Sequence, residues 1–166
     1  MRARLAFAGW SAGARRLAPE LFRRRQREIE RQLDVLLPLL SPRTVFMETG
    51  SPDGELALRV AGYVERAWSI GAPAPAPRAP SNLRSGVLGG VPLASIDVAF
   101  SAQPAAARDV WQLLAPRGVW LVYGKRVPAP LLRAAGFARV RYYAWGMRLP
   151  AALARWSRLP VSAAYK

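Results

Sequence analysis

Residues 44–62 read TVFMETGSPDGELALRVAG, and the order of residue types in them decides the fold. A short apolar run, Thr44 to Met47, ends in an acid, Glu48. A turn follows through Thr49, Gly50, Ser51, Pro52, Asp53 and Gly54, and Glu55 to Gly62 then takes up helical spacing. Strand, glycine-bearing turn and helix in that order open a βα unit. Repeated units of this kind imply a mainly parallel sheet with helices on both faces. Ligands of such sheets sit at the carboxyl ends of the strands, near the switch in strand order, so the turn after Met47 marks the expected site.

Upstream, Leu17, Leu21, Ile29, Leu33, Leu36, Leu37 and Leu40 recur at three- and four-residue steps. The spacing predicts an amphipathic helix from Pro19 to about Leu37, with Arg23, Arg24, Arg25, Arg27 and Arg31 largely on its solvent side. Downstream, Arg66 to Ile70 reads as a second strand closed by Gly71. The alternating prolines from Gly71 to Pro80 form a stiff connection. Further strands are expected at Asn82 to Leu88, Ile96 to Phe100, Val119 to Tyr123, Arg139 to Trp145 and Val161 to Tyr165, seven in all. Helices are expected at Ala105 to Leu114, Ala129 to Ala135 and Ala151 to Trp156.

At 166 residues, 52% of them apolar, the chain is the size of one domain. No apolar run approaches the roughly 20 residues of a membrane span, so a soluble, cytoplasmic protein is expected. Cysteine and histidine are absent, which excludes disulfides, Cys/His metal sites, thiolate nucleophiles and imidazole bases; no metal is expected. The net charge is +15. Nine arginines face three glutamates in the first 32 residues, and ten Lys/Arg with no acid follow Asp109. Such fields favour an anionic partner: RNA, DNA, an acidic protein or an acidic lipid surface. An arginine-rich, alanine-rich composition of GC-rich origin accounts for the same charge without a partner. The organisation expected is a basic N-terminal helical arm over residues 1–32 and one α/β domain over 33–166.

The stretch from Val45 to Val60 resembles motif I of the class I S-adenosylmethionine-dependent methyltransferases, an acid followed by three glycines at alternate positions. Glu48, Gly50 and Gly54 match, and Pro52 stands at the middle glycine. Four more segments follow in family order. Residues 95–101, SIDVAFS, are similar to the fourth strand, and 113–122, LLAPRGVWLV, to the turn and fifth strand. Residues 131–137, LLRAAGF, are similar to the sixth element's turn, and 160–166 to the closing strand. Within the family the likeness is to the type 11 group.

The resemblance implies a Rossmann-like class I methyltransferase fold with a seven-stranded sheet, S-adenosylmethionine as cofactor and a methyl acceptor that the residues do not name. The cofactor-binding residues it implies are Glu48, Thr49, Gly50, Ser51, Asp53, Gly54, Gly71, Gly89 and Ser101. Glu48 would engage the cofactor's ammonium; a carboxylate accepting backbone N–H groups of its own turn is the alternative. Gly71 stands where the family carries the acid that accepts from both ribose hydroxyls, and Gly89 lies where another acid meets the adenine. No catalytic residue is singled out, since methyl transfer rests on positioning the acceptor. Asp97, at the start of its strand, reads as structural, and Ser101 and Gln103 lie nearer the ligand end. Tyr142, Tyr143 and Trp145 interleave with Arg139, Arg141 and Arg148 either to stack on a partner or as an ordinary strand with alternating faces. A second reading makes the chain a catalytically inactive module that has kept the scaffold and uses its basic surfaces to hold an anionic partner.

Overall fold

Apolar residues one helical turn apart carry the first described helix, α1 (Pro19–Leu36), onto the sheet, where Ile29 and Leu36 are fully buried. The structure, a computed structural model, describes residues 19–51, 53–72, 79–102, 107–144 and 161–166, and the backbone of 147–149. A 3₁₀ turn (Leu37–Leu39) with Pro38 ends α1. The chain continues through β1 (Val45–Thr49), α2 (Glu55–Val60), β2 (Arg66–Ile70), β3 (Leu83–Gly86), a 3₁₀ turn (Leu88–Gly90), β4 (Ile96–Ser101), α3 (Ala107–Leu113), β5 (Leu114–Tyr123), α4 (Ala129–Ala134), β6 (Arg139–Ala144), β7 (Met147–Leu149) and β8 (Val161–Tyr165).

The strands form one sheet in the order β3-β2-β1-β4-β5-β8-β6-β7. From β3 to β5 all neighbours are parallel; β8 runs antiparallel to β5 and β6, and β6 to β7. The expected seven strands are present, and an eighth is added. β7 runs back along β6 with Tyr142 opposite Leu149, so the run expected from Arg139 to Trp145, described as far as Ala144, gains an antiparallel neighbour. A three-residue strand is too short to show a period of two in the sequence.

Side chains alternate between two cores. Phe46, Val98, Phe100, Leu121 and Ala163 face α1 and α2, packing on Ile29, Leu36, Leu56 and Val60. Met47, Ala99, Trp120, Val122 and Ala164 face α3 and α4, packing on Val110, Leu113 and Leu132. β5 and its neighbours are buried on both faces, which is why Val119 to Tyr123 reads as an unbroken apolar run. Asp97, whose Oδ2 accepts the amide of Val45 at 2.8 Å, ties β4 to the start of β1.

α1 runs unbroken across the boundary expected between residues 32 and 33, with Ile29 and Gln32 already buried. Residues 1–18, the proline-rich connection from 73 to 78, Pro52, Gln103 and the helix expected at Ala151 to Trp156 lie outside the described residues. Among the described residues no helix is long and apolar enough to cross a membrane.

Candidate functional site

The chain reverses direction across the sheet between β1 and β4, both parallel partners running to the same edge, and the turn from Gly50 to Gly54 lies at that edge. Thr49 is paired with Ile70, so Gly50 and Gly71 leave neighbouring strand ends side by side. Both have positive φ, 80° and 84°, a region other residues enter only at a cost. A Cβ built at Gly71 would meet nothing within 4 Å, and the same holds for Gly89, exposed in the 3₁₀ turn beyond β3, and for Gly124 after β5. The carboxyl edge therefore presents bare backbone.

Glu48 does not face this edge. Its side chain points down onto α2, only 3% of the residue is exposed, and Oε2 accepts the Ala57 amide at 2.8 Å. Burial pushes its carboxyl up to about 7, although the Ala57 amide, the Ser51 hydroxyl and the Arg25 charge all pull the other way. Of the two roles weighed for it, the geometry is that of a carboxylate accepting an N–H close to its own turn.

Thr49 and Ser101 are also turned inward, on the opposite face. Their hydroxyls lie 2.6 Å apart, and Trp120 Nε1 donates to Ser101 Oγ at 2.9 Å, so three buried polar groups satisfy one another. Ser101 reaches the carboxyl end of β4 as expected, with 0% of it exposed.

Asp53 organises the turn. Its Oδ1 accepts from Ser51 Oγ at 2.8 Å and from the Glu55 amide at 3.2 Å. Arg25 of α1 reaches over to it, Nη2 to Oδ1 at 3.0 Å and to Ser51 Oγ at 3.2 Å. Burial alone would raise the Asp53 carboxyl; the Arg25 and Ser51 hydrogen bonds, with the Glu55 amide, outweigh it and hold the group below the usual carboxylate range. At the next residue of α1, Gln26 Nε2 donates to Glu55 Oε1 at 2.9 Å and Gln26 Oε1 accepts from Arg59. Gly54 closes the turn at φ 62°, where a Cβ would stand 2.6 Å from Ser69 Oγ.

Arg23, Arg24, Arg27 and Arg31 are exposed, as the spacing of α1 leads one to expect, and Arg25 is the exception. It falls four residues before Ile29 and seven before Gln32, on the stripe that ends at Leu36, and so faces inward. Arg25 and Gln32 are the two polar members of that otherwise apolar stripe.

All ten carboxylates of the chain are described, and none stands at Gly71 or Gly89. Among the described residues no group of three or more Asp or Glu is placed to hold a metal ion. A depression of about 360 Å³, lined by Leu37, Leu40, Pro42, Tyr63 and Val64, lies at the opposite, amino edge, where Glu65 N donates to Thr44 O ahead of β1 and β2.

No family model matches the chain, and no curated protein does. Solved structures match in fold. The S-adenosylmethionine-dependent methyltransferase SibL, in its apo form, superposes with a TM-score of 0.59 at 13% identity, over 96% of this chain and 60% of that one. TYW2 of M. jannaschii, in complex with AdoMet, gives 0.56 at 12% identity, over 82% and 74%. The 1,6-didemethyltoxoflavin-N1-methyltransferase of Burkholderia thailandensis, with bound S-adenosylhomocysteine, gives 0.54 at 16%, over 84% and 77%. At these identities the likeness shows the fold, the Rossmann-like fold of the class I methyltransferases, completed here by an antiparallel edge.

Proposed function

We propose that this chain is a methyltransferase-like protein that takes S-adenosylmethionine at the carboxyl edge of β1 and β2. The observation that carries the reading is the pair of positive-φ glycines, Gly50 and Gly71, side by side at that edge with open space above Gly71. Backbone free of Cβ atoms is what close approach of a nucleoside cofactor requires. The turn from Gly50 to Gly54 would lie against the methionyl part, Gly71 beside the ribose and Gly89 toward the adenine. The cofactor supplies the methyl group and the driving force of the transfer. The chain's own share is to hold the turn rigid, through Asp53, Ser51 and Arg25, and to keep the site's backbone exposed.

The site lacks the carboxylate that the resemblance leads one to expect after β2. Such an acceptor contributes on the order of 1 to 3 kcal/mol, so binding weaker by about one to two orders of magnitude is expected. Calorimetric titration with S-adenosylhomocysteine tests this: saturable heat is expected, tightened by Gly71→Asp, because aspartate tolerates positive φ better than most residues and the space is open. No heat and no thermal shift at millimolar ligand, in the native chain and in G71D alike, would reject the proposal.

The missing carboxylates also favour the second reading, a scaffold whose basic surfaces hold an anionic partner without transferring a group. It predicts salt-sensitive retention on immobilised RNA or heparin together with silence toward S-adenosylhomocysteine. A chain that passes both columns unretained at low salt contradicts it.

A further inference from the structure

The loop between β5 and α4, Gly124 to Pro128, leaves the same carboxyl edge, and its backbone is fastened from below by two buried side chains. Ser162 Oγ, with 0% of the residue exposed, accepts the amide of Val127 at 2.9 Å and donates to the carbonyl of Lys125 at 3.1 Å. Tyr142, 4% exposed, donates its hydroxyl to the carbonyl of Val127 at 2.8 Å. Lys125 also bridges to Val161 of β8. A surface loop held by three side chain to backbone bonds is preorganised, and what it presents is two adjacent cations, Lys125 and Arg126, both exposed.

Neither cation forms an ion pair with a described carboxylate. Arg126 has only the ring of Tyr142 beneath it, its Cζ 5.4 Å from the centroid. Asp109 in the first turn of α3 is the last acid of the sequence, and it forms no ion pair with either residue. The other acid exposed to the turn beside the edge, Asp53, is already neutralised by Arg25. The edge thus carries a net positive field on a loop whose backbone is fixed in place, and exposed cations that no described carboxylate meets are free to pair with an outside anion.

We propose that the Gly124–Pro128 loop is an anion clasp, and that the molecule this edge acts on carries a phosphate or carboxylate group held by Lys125 and Arg126. The naming of an acceptor class rests on the transfer site lying at this edge. The anion binding itself is read without any S-adenosyl ligand, so failure of the clasp and failure of the cofactor reading are told apart.

The experiment is an amide chemical-shift titration of the full chain at low ionic strength with inorganic pyrophosphate and, separately, citrate. Saturable shifts confined to Gly124 through Val127 and the adjoining end of β8 are expected for at least one probe; which of the two binds tighter says whether phosphate or carboxylate is preferred. The double variant K125E/R126E, at exposed positions, should weaken that binding by about tenfold while the amide spectrum away from the loop stays that of the native fold. The control R24E/R27E, on the exposed side of α1, should leave it within about twofold. Shifts spread evenly over the basic surface, equal weakening by both double variants, or binding of single-stranded RNA that ignores K125E/R126E would overturn the proposal.

Discussion

Replacing Glu48 by glutamine separates a carboxyl group held inside the protein from one turned toward a ligand. The folded protein holds this carboxyl at about 7 because burial disfavours the charge, against 4.5 for the free side chain. Between those values the folded chain keeps a proton that the unfolded chain has lost. Stability therefore falls as pH rises through the interval, by up to 1.36 kcal/mol per unit, or about 3 kcal/mol in all, and levels off above it. Glutamine does not titrate, and its oxygen can still accept the Ala57 amide. The advantage of E48Q over the native chain should grow by about 3 kcal/mol from pH 4.5 to 7.5, since every other group titrates alike in both and cancels. Urea unfolding of both proteins at four pH values across that range, compared at constant m, measures it. A difference that stays level across the range would place the carboxyl in solvent and refute the geometry of the turn.

Gly54→Ala forces a Cβ to within 2.6 Å of Ser69 Oγ at φ 62° and should cost about 2–4 kcal/mol, read as a melting temperature lowered by roughly 5–12 °C; Ser69→Ala in the same chain should return part of that loss, the contact with Ala72 Cβ at 3.1 Å remaining. Arg25→Ala removes the partly buried bond to Asp53 and Ser51 and should destabilise by about 1–2 kcal/mol at neutral pH. Because the Asp53 carboxyl is held below its usual range, that loss should shrink as the pH falls through the range where the folded carboxyl takes its proton, which acid unfolding curves of the two chains will show. Ser101→Ala leaves the Trp120 indole N–H without its partner in the core and should cost about 1–3 kcal/mol by urea unfolding, with the response to S-adenosylhomocysteine unchanged.

What the sequence disclosed was mostly local. β2 and β8 span the stretches that strand patterning marks out, Arg66–Ile70 and Val161–Tyr165, and α1 stops ahead of the proline that cannot continue it. The turn at Gly50 to Gly54 was legible because glycines mark unusual φ. Its supports were less so. Gly54 is hemmed in by Ser69, fifteen residues on, and Arg25 meets Asp53 across 28 residues, contacts that no local pattern encodes. Two signals were present and readable. Arg25 shares the helical stripe of Ile29 and Leu36, and Ser101 lies two residues beyond buried Ala99, on the face that strand alternation turns into the core. Hydrophobic counting hides both, because a polar residue on a buried stripe is read as an interruption when it is a contact. β7 gave no signal at all, being three residues long.

The most direct test of the account is to map where S-adenosylhomocysteine touches the chain. Backbone amide shifts followed through a titration to millimolar ligand should move for Gly50, Ser51, Gly71 and the start of α2, saturating together, while the residues around Tyr63 at the opposite edge stay still. Saturable shifts centred on Leu40, Gly62 and Tyr63, or none anywhere, would contradict it.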